Sequence, residues 1–202
     1  MGILVDIEGV DAVGKRTQSS LITSWLRSKN INSNSISFPD YKTPIGNEIS
    51  YYLAGSRDYS PQVGHMLYAI NRWEKKNEVE NLLVDSDVLI VNRYSASNYA
   101  YGTAKGLNLE WLMNLEEGLP RPDLVLVLDA LPETLISRRE PKDKYEKNLD
   151  LQKKVRETYL ELSRRLGWRV VNAEQGISAT NQLLVTELSK FLAARGIKVR
   201  SS

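Results

Sequence analysis

The string Gly9-Val10-Asp11-Ala12-Val13-Gly14-Lys15-Arg16-Thr17 constrains this chain more than any other stretch, because it has Gly-x4-Gly-Lys spacing and lies between two patterns of opposite kind. Before it, Ile3-Leu4-Val5-Asp6-Ile7 is a short, apolar, β-branched run; after it, Leu21, Ile22, Trp25 and Leu26 share one helical face. Strand, glycine loop and helix in that order make a phosphate-binding loop. Glycines let successive backbone N–H groups turn around an anion, the helix N-terminus adds partial positive charge, and Lys15 reaches terminal phosphates. Gly9 through Thr17 is therefore the expected nucleotide-binding segment. One position departs from the pattern: Arg16 follows Lys15 where a Ser or Thr hydroxyl usually meets Mg²⁺, and a guanidinium cannot ligate a cation. Two readings stay open. Either Mg²⁺ is held by substrate phosphates and water, as suits an ion that keeps several waters, or the chain binds nucleotide with little turnover. Arg16 itself either contacts a phosphate oxygen or is a solvated first-turn arginine.

Further short apolar runs at Asp87 to Val91, Asp123 to Asp129 and Trp168 to Asn172, with a weaker one at Ser35 to Phe38, read as strands. Helical patterns fill Gln62 to Val84, Leu151 to Leu166 and Ile177 to Arg195. Strands alternating with helices predict an α/β fold with a five-stranded parallel sheet covered on both faces. At 202 residues the expectation is one domain, residues 1–202. The window from Arg138 to Lys147 carries charge, a proline and few apolar groups, and reads either as a mobile loop or as a solvated connector.

With 27 basic and 25 acidic residues and a net charge of +2, the chain has no electrostatic footprint for nucleic acid or an anionic membrane surface. It has no cysteine, which removes thiol nucleophiles and thiolate metal sites, and its one histidine, His65, excludes multi-histidine metal sites. His65 is read as a helix-surface or core side chain. The N-terminal run is too short to span a bilayer, so an intracellular, cytoplasmic location is expected, with no membrane partner.

Four segments in order resemble the thymidylate kinases, within the nucleoside monophosphate kinases: Glu8 to Lys15, Phe38-Pro39-Asp40-Tyr41-Lys42-Thr43-Pro44-Ile45-Gly46, Asn71-Arg72-Trp73-Glu74, and Asn92-Arg93-Tyr94 with Ser97 and Ala100-Tyr101. The likeness continues through Gly118-Leu119-Pro120-Arg121-Pro122-Asp123. It implies a P-loop NTPase fold with a lid at about 138–148, a homodimer, and transfer of the γ-phosphoryl of ATP, with Mg²⁺, to dTMP on the way to dTTP. By the same resemblance Gly9, Val10, Asp11, Ala12, Val13, Gly14, Lys15, Arg16 and Thr17 hold ATP. Phe38, Pro39, Lys42, Tyr68, Arg72, Tyr101 and Asp11 meet dTMP. Tyr68 would stack on thymine, or else is a core aromatic; Arg72 would hydrogen-bond the base; Arg93 would touch phosphates; and Tyr101 would lie under the deoxyribose, or else simply pack. Asp11 asks for a cationic partner such as Arg93.

The chain also departs from the family. Asn92 replaces an aspartate that helps hold metal-bound water, Lys42 stands in for an arginine on the acceptor phosphate, and Gly102 stands where a side chain often reads thymine, which leads to an expectation of relaxed tolerance for dUMP. Ala12 occupies a position that carries a catalytic arginine in some relatives, so Arg138 and Arg139, with Lys142 and Lys144, are the lid candidates to join Lys15 and Arg93 in catalysis. The alternatives are a broader deoxynucleoside monophosphate kinase and a nucleotide-binding protein with little turnover.

Overall fold

The computed structural model describes residues 2–136, 145 and 148–197. Five strands, β1 (Ile3–Gly9), β2 (Ser33–Ser37), β3 (Val88–Asn92), β4 (Leu124–Asp129) and β5 (Arg169–Asn172), form one sheet in the order β2-β3-β1-β4-β5. Every pairing is parallel, with Ile3 beside Val88 and Val5 beside Leu124. All seven residues of β1 are buried, as a central strand covered on both faces requires. The helices are α1 (Lys15–Ser28), α2 (Pro44–Ala54), α3 (Pro61–Glu74), α4 (Lys76–Val84), α5 (Ser95–Ala104), α6 (Leu109–Leu115), α7 (Pro132–Ile136), α8 (Leu149–Leu166) and α9 (Ile177–Ala194). Among the described residues no helix is long and apolar enough to cross a membrane.

The period of two along the strands divides the interior. Ile3, Val5, Ile7, Val88 and Ile90 pack with Ile22 and Leu26 of α1, Leu162 of α8, and Leu184 and Leu188 of α9. Leu4, Leu89 and Val91 point the other way, onto Val79 and Leu83 of α4, with Phe38 and Tyr94. Strand order reverses at β1, and the loops after β1, β2 and β3 leave the sheet at its carboxyl edge, where open parallel sheets collect ligands.

The expected strand at 35–38 is shifted to Ser33–Ser37, and the expected helix from 62 to 84 is two helices that meet at Lys75. Lys75 has φ −102° and ψ 6°, and its ammonium pairs with Asp40 at 2.9 Å and Glu78 at 2.5 Å. Asn71 accepts from the Asp40 N–H at 2.8 Å. The chain thus breaks its helix where Asn71 and Lys75 are used to hold Asp40, in the segment after β2. Helix α5, made mainly of small and aromatic residues, carries no strong apolar period and escapes a reading based on periodicity, and the short helices α6 and α7 and helix α2 are likewise absent from the expected helical patterns. Arg138, Arg139, Lys142 and Lys144 lie outside the described residues.

Candidate active site

Gly9 ends β1 with φ 135°, and a Cβ there would stand 2.4 Å from the Leu128 carbonyl oxygen. Only glycine lets the strand turn so close to β4. Gly14, at φ 98°, starts α1. Lys15 is 5% exposed, and its Nζ donates to the carbonyls of Gly9 at 2.9 Å and Val10 at 2.6 Å, which holds the ammonium at the floor of the loop. Asp11, Ala12, Gly14, Lys15, Arg16 and Thr17 line a cleft of about 820 Å³. Val10 and Val13 instead turn into the core, so the loop alternates between addressing the cleft and anchoring itself.

Across the loop stands Arg93, directly after β3. Its φ of 63° is rare for a residue with a side chain and costs about 1–3 kcal/mol; the Ile7 carbonyl, accepting from Arg93 N–H at 3.2 Å, holds it there. The guanidinium pairs with the Asp11 carboxylate and lies 5.6 Å from the Tyr101 ring centre. The other Asp11 oxygen accepts from Tyr101 Oη at 2.9 Å and Gln152 Nε2 at 2.8 Å, while Gln152 Oε1 accepts from the Asp11 N–H at 3.1 Å. Burial alone would raise the Asp11 pKa, but the charges of Arg93 and Lys15 and these two hydrogen bonds outweigh it and hold the carboxyl below its ordinary value.

Behind this pair lies Glu8, whose carboxylate accepts from Tyr94 N–H at 2.9 Å, Ser97 N–H at 3.0 Å, Ser97 Oγ at 2.6 Å and Tyr159 Oη at 2.7 Å. It ties β1 to α5 and α8. Burial, reinforced by the charge of Glu8, pushes the pKa of Asp6, two residues earlier on β1, well up.

At the far end the cleft is lined by Phe38, Pro39, Tyr41, His65, Tyr68, Arg72, Asn98 and Lys105, with Tyr101 on the approach. Arg72 is 3% exposed. Burial works against its charge, but the Glu116 carboxylate outweighs that, accepting from Nε at 2.8 Å and again from Nη2. Glu116 also accepts from Asn98 Nδ2 at 2.8 Å, and Asn98 Oδ1 meets His65 Nδ1 at 2.6 Å. His65 is 1% exposed; burial first, then the charges of Lys105 and Arg72, bring its pKa down to about 3. Its Nε2 has no hydrogen-bond partner among the described residues.

Of the residues singled out from sequence, the structure gathers Lys15, Asp11, Arg93, Tyr101, Phe38, Pro39, Tyr68 and Arg72 around one cleft. It does not bring Lys42 there. Tyr41 lines the cleft in its place, and the Lys42 N–H donates to Asp40 Oδ1 at 3.1 Å in the turn that leads to α2. Gly102 does not face the cleft either: a Cβ on it would stand 2.5 Å from Leu112 Cδ1. Its glycine serves the close approach of α5 to α6, and the expectation of dUMP tolerance loses the basis it was given. Glu116, Asn98 and Gln152 escape sequence reasoning, since each acts through a partner remote in sequence and none belongs to a spaced motif.

The model of a family described as thymidylate kinase matches residues 7–184. A thymidylate kinase of Dictyostelium discoideum is 36% identical over 178 residues, covering 87% of this chain and 80% of that protein. One from Plasmodium falciparum is 33% identical over 191 residues, 94% of this chain and 91% of that protein. Among solved structures, a thymidylate kinase from Candida albicans superposes with a TM-score of 0.79 at 30% identity, covering 100% of this chain and 96% of that one. A family match along most of the chain, relatives above 30% identity at nearly full length and a common architecture establish that this chain belongs to the thymidylate kinase family.

Proposed function

We propose that this chain transfers the γ-phosphoryl of ATP to the 5′-phosphate of dTMP, giving ADP and dTDP. The observation that carries the reading is one continuous cleft with a phosphate loop at one end and an aromatic, arginine-bearing pocket at the other, with the Arg93–Asp11 pair between them. The donor's phosphates lie in the loop against Lys15, Gly14 and Arg16. Thymine stacks on Tyr68 and meets Arg72, and the sugar lies over Tyr101 near Asp11, where a 2′-hydroxyl would crowd the ring. Phosphoryl transfer needs positioning and counter-charge far more than a general base. Arg93 supplies that charge from the sheet edge, with its direction fixed by Asp11; Arg138 and Arg139 supply it from the lid.

The described residues offer no cluster of three or more His, Asp or Glu for a metal. Asn92 Oδ1, buried in the cleft wall with no hydrogen-bond partner among those residues, is a neutral acceptor that fits a metal-bound water. Mg²⁺ would accordingly be held mainly by phosphate oxygens and water, with Asn92 available to a metal-bound water, and would supply neutralisation of the charge on the transferring group. Val63, Met66, Ile70 and Trp73 recur at helical spacing on α3 and are 39–45% exposed. That apolar stripe supports a homodimer formed through α3, and Ile70→Glu is expected to shift the sedimenting species to a monomer.

The test is ADP formation from ATP with dTMP, dUMP, dGMP and dAMP in turn, with and without Mg²⁺. Fast, Mg²⁺-dependent turnover that is best with dTMP is expected. Nucleotide binding without turnover of any acceptor would overturn the proposal.

A further inference from the structure

The base end of the cleft contains a chain of hydrogen bonds whose direction is fixed by chemistry. Glu116, bound to the Arg72 guanidinium, is a carboxylate and can only accept. The Asn98 group that meets it at 2.8 Å is therefore the amide NH₂. That leaves the Asn98 carbonyl facing His65 at 2.6 Å, so the hydrogen between them belongs to His65 Nδ1. An imidazole that carries its hydrogen on Nδ1 presents a bare lone pair at Nε2.

This Nε2 is buried and makes no hydrogen bond with any described residue, yet His65 lines the cleft beside Arg72. A buried acceptor left unmet costs about 1–3 kcal/mol, so its retention next to a ligand pocket calls for a donor brought by the ligand. Resting on the dTMP reading above, we infer that His65 is a specificity-determining residue: its Nε2 accepts the imide N3–H of the base, while Arg72 donates to the adjacent carbonyl. Thymine and uracil share that pattern of an N–H beside a carbonyl. Cytosine reverses it, with a lone pair at N3 and an amino group beside it, and would set two lone pairs against each other at Nε2. His65 thus separates imide bases from cytosine and does not separate dTMP from dUMP. The neutral state this requires is guarded by burial and by Lys105 and Arg72, both of which oppose a proton on the ring.

The Asn98–Glu116 relay is what distinguishes His65 from a merely buried histidine. Its sequence position, three residues before Tyr68 on α3, puts the ring within 5.8 Å of the proposed stacking platform. The same helix therefore supplies the face and the edge of the recognition site.

Because His65 is the only histidine, ¹⁵N NMR of the labelled chain reads its two ring nitrogens without assignment. At pH 7 the expected spectrum shows Nδ1 protonated and Nε2 bare, with the Nε2 signal moving toward a hydrogen-bonded position on saturation with dTMP but not with 3-methyl-dTMP. In a second arm, His65→Phe is expected to weaken dTMP binding about tenfold to a hundredfold, the worth of one buried hydrogen bond, to narrow the preference for dTMP over dCMP by the same factor, and to leave ATP binding unchanged. An Nε2 signal unmoved by bound dTMP, a proton on Nε2 in the free protein, or unaltered dTMP-over-dCMP preference in the variant would overturn the inference while turnover of dTMP by the native chain kept the kinase reading intact. Absence of any dTMP binding would remove both. Should His65→Phe fail to fold, the spectrum of the native chain decides alone.

Discussion

The two ends of the cleft are built on opposite plans. At the phosphate end most of the lining comes from one nine-residue string, held by its own backbone: Gly9 permits the turn, Gly14 begins the helix, and Lys15 binds the carbonyls of the loop it belongs to. At the base end nothing is contiguous. Arg72 and Glu116 are 44 residues apart and His65 and Asn98 are 33 apart, and the side chains are fixed by each other. A site set by backbone conformation is announced by its sequence, and a site set by mutual side-chain satisfaction is not.

The contrast can be broken most forcefully at Glu116. Removing one partner of a buried ion pair leaves the other charge stranded, so Glu116→Ala is expected to cost about 3–5 kcal/mol of stability, read by denaturant unfolding. A loss below 1 kcal/mol would mean that the base end does not depend on its relay. At the other end, Arg93→Ala is expected to lower kcat/KM about a hundredfold to a thousandfold, as for the loss of one preorganised charge-stabilising donor, with a smaller loss of stability than at Glu116, because Asp11 keeps Lys15, Tyr101 and Gln152 as partners. A proportional loss of stability would place Arg93 with the structural residues.

Much of the architecture was legible in advance. The strands centred on Ile3–Ile7, 87–91 and 123–129 were visible because buried parallel strands are near-continuous apolar runs, and the helix carrying Leu184 and Leu188 because its buried positions keep a helical period. Helix α5 was not, although it carries Ser97, Asn98 and Tyr101, because its residues are chosen for contacts with Glu8, His65 and Asp11 and not for an apolar stripe. Lys42 and Gly102 were misplaced for a related reason: a motif position tells which residue is present, and not whether a turn directs it into the cleft or away.

Gly102→Ala sharpens that point. Its methyl would collide with Leu112, so a loss of about 1–3 kcal/mol by overpacking is expected, with the ratio of dTMP to dUMP turnover unchanged; a shift in that ratio would restore Gly102 to base recognition. An effect of comparable size, spread over pH, comes from His65. His65 has its pKa lowered in the folded chain, from 6.5 to about 3, so the unfolded chain binds the proton first as pH falls below 6.5. Stability should then decline by roughly 1.4 kcal/mol per pH unit between 6.5 and 3 from this group alone, and the slope should flatten in His65→Phe over pH 5–6.5, above the range where carboxylates titrate. The smallest effect is expected at Lys42→Ala, within about 0.5 kcal/mol in stability for an exposed side chain and less than a factor of two in KM for dTMP. A large rise in KM would show that the lysine reaches the acceptor phosphate after all.

One carboxylate, that of Glu8, receives four donors from three separate points of the chain: the Tyr94 and Ser97 backbones, the Ser97 hydroxyl and the Tyr159 phenol. Residues that share one acceptor are not independent in their effects. Ser97→Ala and Tyr159→Phe should therefore show a non-additive combined cost, and a lineage that drifts at one of these positions would change which substitutions it can accept at the other. The side chains beneath Arg93 act as a coupled set, so a change accepted at one of them is expected to depend on which residues stand at the others.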